Sequence, residues 1–357
     1  MQNPTRAVNK SLDAKRLPPG WLTMSALGDV RIGPVLSIPA VLTELGVRPQ
    51  LAFSQAGIDP ELFQNLDSRV RYDAVARLLD VCAALTGCPH FGLLVGERFE
   101  LKSLGAVGYL MRNSATVGDA LRSLVRYLHL YDRGAAPVLL APDSSFVTLG
   151  YSVYRHDTPA ATQVYDVVMA IAYRMVRELC GPLWKPVRVQ FSHGRPRSAA
   201  PYRRVFRSPV SFDAGISGIV FASSWLRRPI EGADGALHAI LANAIRAAEA
   251  NGPMSFGDQV QGALYQLVLN GTASAGAVAH LFAIHERTLR RRLAEEGTGL
   301  HQLVNRTRFE LAQQLLRNTG LPVSEIAAAL QYADPNAFSR AFRNWAKLSP
   351  TQWRARH

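Results

Sequence analysis

Between residues 161 and 179 the apolar positions follow the period of a helix: Val164, Val167, Val168, Ile171, Ala172, Met175, Val176 and Leu179 stand at i, i+3, i+4, i+7, i+8, i+11, i+12 and i+15. Such a stripe has to be covered, by the core of its own domain or by a second subunit. The same period predicts helices over 72–86 and 116–130. Shorter alternating or apolar runs, each flanked by turn residues, predict strands over 146–153, 187–191, 210–212 and 218–221. Helices mixed with short strands from 34 to about 235 imply one α+β domain.

A helical segment over 236–250 then runs into Asn251-Gly252-Pro253, which stops it, and Ser255 with Asp258 three residues on starts another helix. This is the domain boundary, with 236–253 as a helical linker. From 254 to 357 short helices follow one another with no predicted strand. Within that stretch one pattern occurs twice, its second parts offset by 49 residues: Val278-Ala279 leads through a turn near Ile284 to Leu289, Arg291 and Leu293, and Ile326-Ala327 leads through a turn at Tyr332-Ala333 to Phe338, Arg340 and Phe342. A short helix, a tight turn and a second helix make a helix-turn-helix unit, expected at about 274–296 and again at about 323–346. Asp334 is placed as N-cap and Pro335 as first helical residue of the last reading helix. The span 300–318 predicts one connector helix, roughly 28 Å long at 1.5 Å per residue. Ser349-Pro350 starts a last short helix containing Trp353.

The second helix of each unit has two faces. Ala337, Phe338, Ala341, Phe342 and Trp345 form an apolar stripe opposite Asn336, Ser339, Arg340, Arg343 and Lys347. In the first unit Leu289 and Leu293 dock while Arg287, Arg290 and Arg291 line the other side. Arg pairs bidentately with guanine N7 and O6, and Asn with adenine, so these side chains suit a major groove. A single basic helical face is often only solvated; two in register weaken that alternative.

Composition sharpens this less than placement does. The 357 residues carry 40 Lys and Arg against 27 Asp and Glu, a net charge of +13. Residues 254–357 hold twelve of the basic groups against seven acidic ones, and seven of the twelve lie in the two reading segments. The first 33 residues, polar and basic with Pro18-Pro19-Gly20, predict a mobile basic arm. Three cysteines form no C-x-x-C pair, so no disulfide framework, metal site or cofactor is expected. Nowhere do eighteen apolar residues run together, which predicts a cytoplasmic protein without a membrane partner.

On these residues the C-terminal hundred positions resemble the AraC/XylS family of bacterial transcription regulators. The stretches that carry the resemblance are VAHLFAIHERTLRRRLAEEG, RFELAQQLL and EIAAALQYADPNAFSRAFRNWAKLSPTQWR. It implies that Arg287, Arg290 and Arg291 in the first unit, and Asn336, Ser339 and Arg340 in the second, face bases, with Arg343 and Lys347 on phosphates. One departure is Leu330-Gln331-Tyr332 where the family commonly has Gly-Phe, so Gln331 must make the turn that Gly usually makes. Residues 34–235 resemble the arabinose-binding-type N-terminal domain through PAVLTELGV, HFGLLVGERF, LGAVGYLMRNSATVGDAL, FSHGRP and YRRVFRSPVSFDAGISGIVF. That implies an effector-sensing or dimerising module, with no particular sugar implied. The expected partners are double-stranded promoter or operator DNA, an unidentified small-molecule effector, a second copy of the chain and RNA polymerase.

The expected architecture is therefore multidomain: an α+β sensing domain, then an all-α DNA-binding domain with two helix-turn-helix units. Arg69, Arg71, Asp73 and Arg77 are candidates for an anionic effector, although a salt-bridged structural cluster is the favoured alternative. His193 is expected to be a satisfied structural histidine, and Tyr109 and Met111 to pack in the core. No G-x-S-x-G, H-E-x-x-H, P-loop or Rossmann glycine motif occurs, so no enzyme is expected. The competing classes are an enzymatic N-terminal domain fused to a DNA-binding one, a regulator whose N-terminal domain only dimerises, and a helical adaptor that does not bind DNA.

Overall fold

The computed structural model describes residues 28–132, 134–140, 145–153, 161–250, 255–269, 271–282, 284–318 and 321–356. Most of the expected basic arm, residues 1–27, lies outside them. Its end is not arm: Asp29–Arg31 (β1) pairs antiparallel with Arg69–Arg71 (β2), Val30 opposite Val70. Helices Ile38–Glu44 (α1) and Pro49–Ala56 (α2) follow β1. Tyr72–Thr86 (α3) leaves β2 directly and ends on Gly87, whose φ of 62° is the left-handed conformation a C-cap needs.

Phe91–Gly96 (α4) lies against Ala161–Cys180 (α7) closely enough that only glycine fits at two positions. A Cβ on Gly92 would stand 2.4 Å from the Gln163 carbonyl oxygen, and one on Gly96 2.5 Å from that of Val167. Between them in the chain come Gly105–Arg112 (α5) and Val117–Tyr127 (α6), the latter capped by Thr116, which accepts from the Asp119 N–H at 3.1 Å. The long stripe of α7 is buried in the core of its own domain, not held out for a second subunit: Val164, Val167, Met175, Val176 and Leu179 are all buried.

The main sheet has five strands, Ala135–Leu140 (β3), Phe146–Val153 (β4), Arg188–Gln190 (β5), Val210–Ser211 (β6) and Ser217–Ala222 (β7), in the order β3-β4-β7-β5-β6. All neighbours are antiparallel except β5 and β6. Ala200–Phe206 (α8) lies between β5 and β6, and Gly235–Ala250 (α9) packs on α5 with Ala242 and Ile245 buried in the same core.

A second core is wholly helical. Phe256–Leu269 (α10), Ala275–Leu281 (α11) and Glu286–Glu295 (α12) form the first helix-turn-helix with its support. Leu300–Asn318 (α13) connects it to Val323–Ala329 (α14) and Pro335–Ala346 (α15), and Pro350–Arg356 (α16) closes the chain. Phe338 and Phe342 are fully buried, each contributing about 1.5–3 kcal/mol by leaving water. Phe309 of α13 meets Phe342 at 5.5 Å and Trp345 at 5.3 Å between ring centres, which fixes α15 on the connector. The two cores touch: Leu140 and Ile216, from the sheet domain, pack against the helical core.

Candidate nucleic-acid interface and ligand cavity

Each helix-turn-helix is set by its caps. Ser274 accepts from the Ala277 N–H at 3.1 Å to start α11, and Asp334 from the Ala337 N–H at 2.7 Å to start α15, as expected for that Asp-Pro pair. Glu296, just after α12, accepts at 2.7 Å from both the Phe256 and Gly257 N–H groups, so the end of the reading helix caps the start of α10. The turn in the second unit rests on Gln331 at φ 60°, the left-handed conformation that the departure from Gly required.

The faces divide as their periodicity predicts. Leu289, Leu293, Phe338 and Phe342 are buried. Arg287, Arg290, Arg291, Asn336, Arg340 and Arg343 are exposed, and Ser339 is half-buried. Arg290 reaches Glu286 at 3.3 Å and Arg291 reaches Glu295 at 3.5 Å, yet the two side chains stay 73% and 68% exposed, so these one-turn pairs leave them free to exchange partners. Arg292 is also exposed but faces elsewhere, its guanidinium stacking on the Phe256 ring at 3.8 Å. Lys347 is not on the helix but caps it at φ 59°, with Nζ donating to the Asn344 carbonyl at 2.9 Å. A buried network holds α13 to α10: Glu310 accepts from Gln261 at 2.9 Å, from Tyr265 and from Arg306, and burial nevertheless pushes its carboxyl up.

In the sheet domain the arginine cluster is held in ion pairs and hydrogen bonds. Arg69 bonds Asp29 and the Leu130 carbonyl across the small sheet. Arg71 and Arg77 bracket Asp73 at 3.0 and 2.8 Å; burial would raise that carboxyl, but the two guanidinium partners hold it down at about 2. None of these residues lines the apolar cavity of this domain. His193 behaves as a satisfied structural histidine, its Nε2 3.2 Å from Asp166, which also accepts from the Tyr202 hydroxyl at 2.8 Å. Met111 is buried, but Tyr109 is 52% exposed and does not pack in the core. One turn of α5 carries both, so an apolar run there covers more than one face.

The cavity lies between α3, the α6 end, β4 and α7. It is a small slot, with about 100 Å³ open to the centre of a water-sized sphere. Most of its wall is formed by Val, Leu, Ile and Met side chains, among them Val75, Leu79, Val168, Ile171 and Met175. Polar groups meet it at one place. Tyr151 donates to Asp132, the Tyr72 and Tyr151 hydroxyls are 3.4 Å apart, and the Gly134 N–H donates to Asp132 at 2.8 Å. Burial raises Asp132 to about 6 despite these bonds, and burial with the Asp132 charge raises both tyrosines. Arg31, at the same end, bonds Asp67 and stacks on Tyr131 at 4.6 Å, while its buried Nε–H has no hydrogen-bond partner among the described residues. Neither Asp132 nor Tyr151 carries a periodic or motif signal in the chain, and they meet only through packing: Asp132 precedes β3 and bridges to Val30 of β1, while Tyr151 stands on β4.

An α+β domain followed by two helix-turn-helix units on a connector helix defines a two-domain transcription regulator. Residues 46–230 match the family described as the arabinose-binding domain of AraC transcription regulator, N-terminal, and residues 278–356 match a helix-turn-helix domain family. The chain belongs to the AraC family of helix-turn-helix transcriptional regulators. It is 31% identical over 316 residues to the HTH-type transcriptional regulator VirS of Mycobacterium tuberculosis, covering 88% of this chain and 93% of the relative. It is 28% identical to the ornithine utilization regulator of Pseudomonas aeruginosa over 88% of this chain and 93% of that one. The crystal structure of the transcriptional regulator CdpR from Pseudomonas aeruginosa overlays with a TM-score of 0.42 at 24% identity, covering 86% of this chain and 96% of that one. Among the described residues no helix is long and apolar enough to cross a membrane.

Proposed function

We propose that α12 and α15 read two segments of one operator, and that a small molecule held in the slot of the sheet domain tunes that binding. In this reading Arg287, Arg290 and Arg291 on α12, and Asn336, Ser339 and Arg340 on α15, face base edges, while Arg343 and Lys347 hold phosphates. The observation that supports it is the division of both helices into a buried apolar face and an exposed Arg- and Asn-bearing one, joined by a connector of nineteen residues. At roughly 28 Å that connector is close to one DNA turn of about 34 Å, so the two helices suit successive major-groove segments. The functional division follows the sequence boundaries, with sensing over 34–235 extended back to β1 at Asp29–Arg31, linking over 236–253 and DNA binding over 254–357. Two copies would occupy an operator with paired sites, and a contact with RNA polymerase is the outlet to transcription. Turnover of the ligand forms no part of this reading.

The test is a mobility-shift titration of the full chain against duplexes from its own upstream region. Retardation is expected, with log affinity falling against log salt by about 0.9 for each phosphate neutralised. Equal retardation of all duplexes, or affinity indifferent to salt, would overturn it.

A further inference from the structure

We infer that the slot between α3, β4 and α7 takes a slender, uncharged apolar molecule carrying one oxygen acceptor, a medium-chain ketone or ester, with that oxygen on Arg31 Nε and its hydrocarbon part along α7. The inference deepens the effector reading above and rests on it.

Shape sets the first limit. Only about 100 Å³ is open to the centre of a water-sized sphere, so the free space is small and admits a slender chain or a single flat ring more readily than a bulky body. The wall sets the second. Val75, Leu79, Val168 and Met175 offer no hydrogen bonds, and a ligand hydroxyl buried against them without a partner costs about 1–3 kcal/mol. A sugar carries several such hydroxyls, so this slot rejects the sugar for which the matched family is named.

Charge sets the third limit. Asp132 is enclosed at the polar end of the slot and its two oxygens are already bonded, one to Tyr151 and one to the Gly134 N–H. With Tyr151 donating to Asp132, its hydroxyl proton is spent, and Tyr72 is left to donate to Tyr151 across their 3.4 Å contact. A carboxylate ligand would lie beside that buried carboxylate, and the Arg31 charge at this end is already opposed by Asp67. One donor at this end lacks a partner, the buried Arg31 Nε–H. An uncharged carbonyl oxygen supplies the missing acceptor without adding charge.

The test uses the full chain and the fluorescent probe N-phenyl-1-naphthylamine, which is slender, apolar and uncharged. Saturable binding of one probe per chain is expected, with displacement by 2-undecanone at concentrations at least tenfold below those needed of undecanoate, and none by L-arabinose. Ala172→Phe and Val168→Phe fill the slot from α7 and should each weaken probe binding at least tenfold. Val168 is half-buried, so its variant decides the matter if Ala172→Phe does not fold. Arg31→Met keeps the apolar stem and removes the donor, and should weaken 2-undecanone about tenfold more than it weakens the probe. Unchanged probe binding in the folded filled variants, displacement by arabinose or preferentially by undecanoate, or equal effects of Arg31→Met on probe and ketone would overturn the assignment. Binding is read without DNA, so the two readings fail separately. If 2-undecanone binds as expected but leaves the mobility shift unchanged, effector control falls and the slot assignment stands.

Discussion

The side-chain amide of Gln314 donates to the hydroxyl of Tyr165 at 2.8 Å, and both residues are buried. Tyr165 belongs to α7, whose neighbours Val164, Val167 and Val168 line the slot, and Gln314 belongs to the connector helix between the two reading units. One helix therefore touches both the slot and the connector that joins the two helix-turn-helix units. Any shift of α7 on ligand binding meets α13 through this bond.

Tyr165→Phe removes the acceptor and leaves the Gln314 amide buried without it, which is expected to cost about 1–3 kcal/mol of stability. Adding Gln314→Met to that background should recover part of the loss, because both polar partners are then gone. Urea unfolding of the two single variants and the double variant measures the coupling. A Tyr165→Phe curve that overlays the wild type would show that the bond contributes nothing.

Arg340 and Arg343 occupy the same exposed face of α15 but are assigned different work. Arg340→Ala is expected to lose about 1–3 kcal/mol on the native operator and to relax preference at one base position. Arg343→Ala should weaken all sequences alike and lower the salt slope by about one. Binding to a library of operator variants at two salt concentrations separates the two. Uniform weakening by Arg340→Ala would remove it from the base-reading set.

Asp132 gives the fold a pH dependence of defined sign. Its carboxyl is raised from 3.8 to about 6 by burial, so between those values the folded chain holds a proton that the unfolded chain has lost. Its contribution to stability is therefore fullest below about pH 4 and is lost as pH rises to about 6, an effect of about 3 kcal/mol for a shift of about two units. Asp73, held down at about 2, acts in the opposite sense and only below about pH 4. In Asp132→Asn the first dependence should vanish. Subtracting the variant's unfolding free energy from that of the wild type at pH 4, 5, 6 and 7 cancels the other groups, and a flat difference would contradict the assignment.

The long periodic elements were legible in the chain because their pattern is local. The helices at 72–86, 300–318 and 335–346 have the bounds their periodicity predicts. β3 was not legible, because Pro137 argues against a strand, and it is tolerated only because β3 lies at the edge of the sheet. β2 was hidden for another reason: Arg69-Val70-Arg71 has a single apolar residue and reads as a charged entry to α3. The exposed face of α15 could be listed from sequence, since one helix carries it all. The slot could not, because Arg31, Tyr72, Asp132 and Tyr151 stand on separate elements and are joined only by strand register and packing.

Gln331 makes the turn of the second helix-turn-helix, and its φ of 60° puts a side chain in the left-handed region. For a residue with a Cβ that conformation costs roughly 1–2 kcal/mol. Glycine would avoid the cost but adds freedom to the unfolded chain, which takes back about 0.5–1 kcal/mol. Gln331→Gly is therefore expected to stabilise the protein by up to about 1 kcal/mol. Gln331→Val, whose branched Cβ fits this region worst, should destabilise it. The Gln331 side chain is exposed, so neither change disturbs the core around Leu330 and Phe338, and thermal unfolding of both variants isolates the backbone term. A Gln331→Gly variant less stable than the wild type would mean that the side chain makes a contact worth more than the strain it imposes.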